Sequence, residues 1–196
     1  MEFNFEFKTK QEFRDYAKRI RSELDINLVS QEICENFNKQ DFYKFSKNIL
    51  SFYPFNNEID LRKLYEDNSK NWCLPRVDMS SRGLIIHRYH YNDTLVKNKW
   101  GVFEPYERQE VIDPATIDIA IIPALMVDKK GYRLGYGAGF YDRFIPGLRQ
   151  DCLKVTPVPE KLFVEVLPYD HWDIPVDKVI TQKDFYRLRS FPSRSL

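Results

Sequence analysis

The segment that most restricts the fold of this chain is an apolar run from residue 117 to residue 127, with Ile119-Ala120-Ile121-Ile122 at its centre. This centre shows no alternation of apolar and polar residues, which is typical of a parallel strand covered on both faces. Strand-like runs at residues 49–53, 72–74 and 83–87 are separated by segments of helical periodicity. The order predicts an α/β protein, a three-layer α/β/α sandwich with a mainly parallel sheet.

Length and charge narrow the class of protein. For 196 residues we expect a single domain over residues 1–188, followed by a frayed tail at residues 189–196, where Pro192 and three serines occur. Thirty basic and 29 acidic residues leave a net charge of +1. This balance argues against a protein that coats nucleic acid or an anionic membrane.

The sequence gives no indication of export or membrane insertion. The longest stretch without a charged residue spans ten positions, from Asn48 to Asn57, whereas a membrane-spanning helix needs about 20 apolar residues. The N-terminus lacks the basic and apolar regions of a secretory signal. Cys34, Cys73 and Cys152 have no metal-binding spacing, so we expect buried, reduced thiols and a cytoplasmic protein.

The N-terminal part is predicted to be largely helical. After a short strand at residues 3–7, where Phe alternates with polar residues, residues 8–24 show apolar side chains at helical spacing. Ser30 and Asp60 are predicted to cap two further helices. Basic residues at steps of four, four and three form a stripe on the first helix: Lys10, Arg14, Lys18 and Arg21. We interpret the last two of these as surface residues.

A glycine-rich segment follows the apolar run. Gly135, Gly137 and Gly139 can adopt positive φ and bring backbone N–H groups close to a ligand. No helix breaker occurs between Gly139 and Pro146, so a short helix is expected to begin there and to favour phosphate at its N-terminus. The spacing is neither a Walker A loop nor a dinucleotide fingerprint. A turn needed only for chain geometry stays an alternative.

This segment resembles the 5-formyltetrahydrofolate cyclo-ligase family. The resemblance is carried by Asp118-Ile119-Ala120-Ile121-Ile122-Pro123, Asp128, Gly131 and the run Arg133-Leu134-Gly135-x-Gly137-x-Gly139-x-Tyr141-Asp142-Arg143. Further family features follow in order along the chain: Lys10, Arg14, Glu58, Pro75-Arg76, Glu104-Pro105, Leu167-Pro168, Asp173 and Val176 to Thr181. The chain departs from the family pattern at Ala124, Val127, Phe140 and residues 156–164. The resemblance implies the fold of the group that includes sugar-phosphate isomerases and CoA transferases.

The resemblance also implies a reaction: the ATP- and Mg²⁺-dependent cyclisation of 5-formyltetrahydrofolate to 5,10-methenyltetrahydrofolate, with release of ADP and phosphate. Such phosphoryl transfer depends on positioning and on charge neutralisation, and it has little need of a covalent nucleophile. The expected partners are these small molecules, with no nucleic acid and no membrane, and the expected state is a monomer.

The resemblance assigns roles to particular residues. The implied catalytic residues are Lys10, Arg14, Arg133 and Tyr141. The implied ATP-binding residues are these four together with Arg76, Leu134, Gly135, Tyr136, Gly137, Ala138, Gly139 and Phe140. Tyr53 and Glu58 would bind the folate, and Asp142 and Asp173 would bind Mg²⁺, which prefers carboxylate and phosphate oxygens.

Each of these residues also has an ordinary structural interpretation. Lys10 and Arg14 could be solvated charges, Tyr53 a core residue and Asp142 a helix-capping residue. Two other kinds of protein compete with the cyclo-ligase: a non-catalytic nucleotide- or RNA-binding relative, and another phosphate-binding enzyme of the same fold. The near-zero net charge and the presence of both cations and both carboxylates favour the cyclo-ligase.

Overall fold

The computed structural model describes residues 9–188. The helices are α1 (Lys10–Ser22), α2 (Ile26–Lys39), α3 (Asp41–Phe45) and α4 (Phe140–Phe144), with short 3₁₀ helices at Arg62–Glu66, Pro114–Thr116, Ile145–Gly147 and Glu160–Leu162. The strands are β1 (Asn48–Leu50), β2 (Asn71–Asp78), β3 (Gly83–Arg88), β4 (Val96–Lys97), β5 (Phe103–Glu104), β6 (Ile119–Ile121), β7 (Met126–Asp128), β8 (Arg133–Leu134), β9 (Leu153–Pro157), β10 (Phe163–Val164), β11 (Lys178–Ile180) and β12 (Phe185–Arg187).

A seven-stranded sheet in the order β12-β11-β9-β6-β1-β2-β3 forms the centre of the fold. The pairs from β11 to β2 are parallel, and only the edge strands β12 and β3 are antiparallel. The apolar run supplies β6, whose three residues have no exposed surface. The prediction of a mainly parallel sheet with this run at its centre is therefore confirmed.

Helices cover both faces of the sheet. On one face, Phe13 and Ala17 of α1 and Phe144 of α4 share a core with Leu50 and Ala120. On the other face, the side chains of α2 and α3 share a core with the neighbouring strand positions, among them Ile49, Ile119 and Ile121. Because successive strand residues point to opposite faces, β1 and β6 each contribute to both cores. The layers are those of an α/β/α sandwich.

Several local predictions need correction. Helix α2 begins after Asp25, whose side chain caps it, while Ser30 lies inside the helix and donates to the Ile26 carbonyl. The carboxylate of Asp60 accepts from the Arg62 N–H, but the helix there is a short 3₁₀ turn. Strand β1 ends at Leu50, three residues earlier than predicted. The predicted strand at residues 3–7 and the tail at 189–196 lie outside the described residues.

Arg21 is not a surface residue, contrary to the prediction. It is 2% exposed, and its guanidinium donates to the carbonyl oxygens of Asn57, Ala124 and Leu125. Two loops cover the end of α1, and their backbone carbonyls would otherwise lack hydrogen-bond donors in the interior.

The glycine-rich loop does not follow the central strand directly. The chain leaves the sheet after β6 and forms β7 and β8, which belong to a separate three-stranded sheet with β10. The loop starts after β8 and leads into α4. It lies at the carboxyl-end edge of the main sheet, where parallel α/β sheets bind ligands. None of the helices within residues 9–188 combines the length and apolar character that crossing a membrane requires.

Candidate active site

A cavity of about 1180 Å³ opens at this edge. Its walls are the glycine-rich loop, the chain after β1, the β2–β3 hairpin, residues 98–104 and residues 170–173. Cavities of roughly 300–1000 Å³ suffice for one drug-sized ligand. This one exceeds that range.

Arg14 of α1 lies directly against the glycine-rich loop. Its Nε donates to the Gly135 carbonyl at 3.0 Å, and a Cβ atom on Gly137 would lie 3.2 Å from Arg14 Nη2. Gly137 and Gly139 have φ values of 104° and 66°, whereas Gly135 is not in the left-handed region. Only two of the three glycines are therefore required by backbone conformation. The third has open space around it.

Lys10, one turn earlier on α1, is held by two carboxylates. Its Nζ lies 2.7 Å from Asp170 Oδ2 and 2.5 Å from Asp173 Oδ2. Partial burial disfavours the ammonium charge, but the hydrogen bonds to Asp170 and Asp173 outweigh this effect and raise the pKa of Lys10. The group is thus a fixed positive charge at the cavity wall.

Arg133 ties the helix after the loop to the chain before β11. Its side chain is 5% exposed; Nη2 donates to Asp142 Oδ1 at 2.8 Å and Nη1 to the Ile174 carbonyl. The Ile174 N–H also donates to Asp142 Oδ1. These bonds place Asp142 and Asp173 at the same cavity, as the metal-site prediction requires.

Asp142 and Asp173 suit a magnesium ion only if a ligand completes its coordination. Their hydrogen bonds use Oδ1 of Asp142 and Oδ2 of Asp173, so a second oxygen of each carboxylate can face a metal. Residues 9–188 contain no group of three or more His, Cys, Asp or Glu side chains that could hold a metal ion. Two carboxylates completed by phosphate oxygens and water is the pattern that Mg²⁺ accepts.

Glu58 also lines the cavity and is 8% exposed. Its Oε2 accepts from the Phe55 N–H at 2.9 Å. Burial raises the pKa of the Glu58 carboxyl from 4.5 to about 7, although the Phe55 N–H and the Arg21 guanidinium act in the opposite direction. Tyr53 lines the cavity too, with its ring centre 5.4 Å from that of Phe103.

The two tyrosines of the glycine-rich segment stay neutral. Burial raises the pKa of the Tyr136 hydroxyl to about 12 and that of Tyr141 further, and the nearby charge of Glu58 acts in the same direction. A neutral phenol can donate a hydrogen bond. Both side chains line the cavity.

Arg76 is not brought to the cavity with the others. Its guanidinium faces Glu104 and Glu107, at 3.6 and 3.7 Å, while the adjacent Pro75 and Val77 line the cavity. Alternate residues of β2 point to opposite faces, so the three cannot all face the same ligand. The remaining predicted site residues all line the cavity.

Sequence reasoning missed part of the site. Asp170, which holds Lys10, follows the Leu167-Pro168 feature by two residues and was assigned no role. Three exposed aromatic side chains that were assigned no role also line the cavity: Trp100, Phe103 and Trp172. Large aromatics in otherwise polar loops were the available signal, because such rings normally avoid water unless they bind something.

The fold and the cavity together define an α/β protein whose cavity combines cations and a glycine-rich loop with aromatic side chains and a buried carboxylate. Comparison with known proteins is more specific. Residues 8–182 match the model of the 5-formyltetrahydrofolate cyclo-ligase family. The chain belongs to this family, which confirms the resemblance noted in the sequence and supports an enzyme over a non-catalytic relative.

Individual relatives agree with this assignment. The 5-formyltetrahydrofolate cyclo-ligase of Haemophilus influenzae is 30% identical over 189 residues, which cover 87% of this chain and 96% of that protein. The cyclo-ligase of Escherichia coli strain K12 is 34% identical over 141 residues, covering 68% of this chain and 76% of that protein. The structure of Aquifex aeolicus 5,10-methenyltetrahydrofolate synthetase superimposes with a TM-score of 0.80 at 32% identity and covers 95% of both chains.

Proposed function

We propose that this protein catalyses the ATP- and Mg²⁺-dependent cyclisation of 5-formyltetrahydrofolate to 5,10-methenyltetrahydrofolate, with release of ADP and phosphate. One observation supports this beyond family membership. A single cavity is lined by a glycine-rich loop with two cations and by a buried carboxylate with aromatic side chains. The loop and cations suit a triphosphate, and the carboxylate and rings suit a pterin; we call these two parts of the lining the phosphate end and the folate end.

At the phosphate end, Arg14 and Lys10 supply positive charge and the loop supplies backbone N–H groups. Arg14 already contacts Gly135, so phosphates on the loop meet a guanidinium without rearrangement. Lys10 is bound to Asp170 and Asp173, so it must exchange at least one of these partners for a phosphate oxygen.

Asp142 and Asp173 would hold Mg²⁺ beside the phosphates. When bound, the ion neutralises charge on the transferring phosphoryl group. The Lys10–Asp173 ion pair keeps both groups compensated until nucleotide and metal arrive. Arg133 keeps Asp142 in place throughout, because it is buried against Asp142 and the Ile174 carbonyl.

At the folate end, the Glu58 carboxylate accepts hydrogen bonds from the N–H groups of the pterin ring. A carboxylate opposite two parallel donors forms a strong, oriented pair. Tyr53 and the other aromatic side chains that line the cavity stack against the rings of the substrate. These contacts orient the N5-formyl group towards the phosphate end.

The chemistry follows from this juxtaposition. The formyl oxygen attacks the γ-phosphorus and the bond to ADP breaks. N10 then attacks the formyl carbon and loses its proton, and the former formyl oxygen leaves with the phosphate. The chain's contribution is to align the two substrates, to exclude water and to neutralise charge. The neutral hydroxyl of Tyr141 can donate to a phosphoryl oxygen between the two ends.

We further propose that residues 1–188 act as one cytoplasmic, monomeric domain on small molecules, without nucleic acid or membrane. Three buried free cysteines suit a reducing compartment. The helices on both faces of a mainly parallel sheet are consistent with the sugar-phosphate isomerase and CoA transferase group. Participation of Arg76 in ATP binding stays a prediction.

The decisive experiment mixes the protein with ATP, Mg²⁺ and 5-formyltetrahydrofolate and follows the absorbance of the methenyl product. Product that appears only when all three are present, with one ADP per turnover, supports the proposal. A folded protein that binds ATP but forms no product would instead support the non-catalytic nucleotide-binding alternative.

A further inference from the structure

Arg21 is a buried cation that the proposed reaction does not use. It lies in the last turn of α1, and its Nη1 donates to the Asn57 carbonyl at 2.8 Å. Its Nη2 donates to the carbonyls of Ala124 and Leu125, at 2.6 and 3.3 Å. Nε is buried and has no hydrogen-bond partner within residues 9–188. Burying a charged group costs free energy unless hydrogen bonds or an opposite charge compensate it.

The carbonyls that bind Arg21 come from the two segments that leave the centre of the sheet. Asn57 immediately precedes Glu58 in the chain after β1, and Ala124 and Leu125 lie in the chain after β6. One guanidinium therefore clamps both segments together. The planar fork of arginine suits this task, because its five donors have a fixed geometry that a lysine cannot reproduce.

We propose that Arg21 is a positioning residue that fixes the Glu58 segment against the chain after β6 and holds the Glu58 carboxylate in its charged, folate-binding form. This inference rests on the proposed role of Glu58 in binding the substrate.

The charges around Glu58 support the second part of this role. The charged and titratable groups near the Glu58 carboxyl are Arg21 on α1, Tyr136 in the glycine-rich loop and Tyr141 on α4, and the Phe55 N–H donates to it. The Phe55 N–H and Arg21 favour the charged carboxylate of Glu58, whereas both tyrosines stay neutral, because burial and the charge of Glu58 raise their pKa values. Within the described residues, Arg21 and Glu58 form no direct ion pair, so the charge acts through space across the Asn57 backbone.

The test separates the charge of Arg21 from its hydrogen bonds. Arg21→Gln removes the charge and keeps amide donors, while Arg21→Lys keeps the charge and loses the fork. Arg19→Gln is the matched control, since Arg19 lies on the same helix with a 62% exposed side chain paired with Glu23. Binding of 5-formyltetrahydrofolate is measured by calorimetry from pH 5.5 to 9, in two buffers of different ionisation enthalpy, with ATP binding as the check on folding.

The proposal makes distinct predictions for these variants. In the parent protein, folate binding weakens as Glu58 becomes protonated below about pH 7, and binding at pH 7 releases a fraction of a proton. In Arg21→Gln the midpoint of the pH dependence of folate binding moves upward by at least about one pH unit, and folate binding at pH 7 releases a larger fraction of a proton. In Arg21→Lys the midpoint stays near that of the parent protein while the affinity falls at every pH. Arg19→Gln changes neither quantity.

The result that would overturn the proposal is a parental midpoint and parental proton release in Arg21→Gln. If that variant does not fold, a shifted midpoint in Arg21→Lys, which keeps the charge, overturns it equally. Glu58→Gln tests the underlying function separately. In this variant, folate binding should no longer depend on pH in this range and should release no proton. If the variant binds folate like the parent protein, the assignment of Glu58 is wrong whatever the Arg21 variants show.

Discussion

At the scale of single residues, the structure shows the partners and the burial of charged side chains, which the sequence does not reveal. Lys10 looks like one cation of a helical stripe, yet it is bonded to Asp170 and to Asp173. Arg21 belongs to the same stripe and is buried. Whether a charge is solvated, paired or poised for a ligand depends on groups that are distant in sequence.

Asp170→Asn is expected to strengthen the binding of ATP in the absence of Mg²⁺ by about two- to five-fold. The change removes one competitor for Lys10 and one negative charge beside the phosphates, in a partly exposed site where such effects are modest. Fluorescence or calorimetric titration with ATP measures it, and Asp15→Asn on the exposed side of α1 is the control. An affinity that falls in the variant would mean that Asp170 orients Lys10 productively.

Glu58→Gln is expected to weaken the binding of 5-formyltetrahydrofolate by roughly 1–3 kcal/mol and to leave ATP binding nearly unchanged. The amide replaces an acceptor oxygen by a donor that faces the donors of the pterin. Calorimetry with each substrate separately checks both halves of this expectation. Equal losses for the two substrates would point to a disturbed fold instead of a lost contact.

At the scale of elements, the loop and α4 are held by contacts on two sides. Arg14 from α1 covers the loop, and Arg133 from β8 binds Asp142 of α4 together with the Ile174 carbonyl. A short helix of five residues gains little stability from its own hydrogen bonds. Its position is therefore determined by these tertiary contacts.

Gly137→Ala is expected to lower the unfolding free energy by roughly 1–2 kcal/mol and to weaken ATP binding. Gly137 has a φ of 104°, and the new methyl would lie 3.2 Å from Arg14 Nη2. Gly135→Ala is the matched control, because its Cβ would meet no atom within 4 Å and its φ is not positive. Chemical denaturation of both variants gives the comparison. Equal stability loss in the two would refute the argument from conformation.

Asp142→Asn is expected to reduce turnover strongly and to reduce stability by roughly 1–3 kcal/mol without any ligand, because the buried Arg133 loses a charged partner. High Mg²⁺ should restore part of the turnover but none of the ligand-free stability. Steady-state assays over a range of Mg²⁺ and denaturation without metal separate the two effects. If the variant has parental activity at limiting Mg²⁺, Asp142 is not a metal ligand and the metal site lies elsewhere.

At the scale of the whole molecule, stability is expected to depend on pH through the buried carboxylate at the active site. The pKa of Glu58 in the folded protein, about 7, lies above its ordinary 4.5. The folded protein holds the Glu58 proton more tightly than the unfolded chain does. This contribution to the free energy of unfolding is fully present below about pH 4.5 and is lost as the pH rises through 7. At neutral and higher pH the buried, charged Glu58 carboxylate therefore lowers the stability of the fold, and we attribute its presence to substrate binding.

Glu58→Gln removes this dependence. Relative to the parent protein, the variant should gain stability between pH 5 and pH 8, by up to about 3 kcal/mol. Urea denaturation at both pH values measures the difference between the two proteins, in which other titrating groups cancel. Glu35→Gln, at an exposed position of α2, should show no such gain. A difference that is the same at both pH values would contradict the raised pKa.

The sequence by itself predicted the class of fold and most of the residues that line the cavity. Continuous apolar residues at 119–122 are typical of a parallel strand that is buried on both faces, and the loop from Arg133 to Tyr141 carries enough unusual residues in one stretch to identify the family. Local order along the chain suffices for such features, because neighbours in sequence are neighbours in space.

The tertiary structure alone decided which charges meet. The Arg76 side chain does not line the cavity, because successive side chains of β2 point to opposite faces of the sheet. The tertiary structure brings Asp170 to Lys10 across 160 positions of sequence, and it buries Arg21 under two loops that leave the sheet at β1 and β6. Contacts of this kind depend on which distant segments come together in the fold. Periodicity and composition describe only local stretches of the chain, so they cannot predict these contacts.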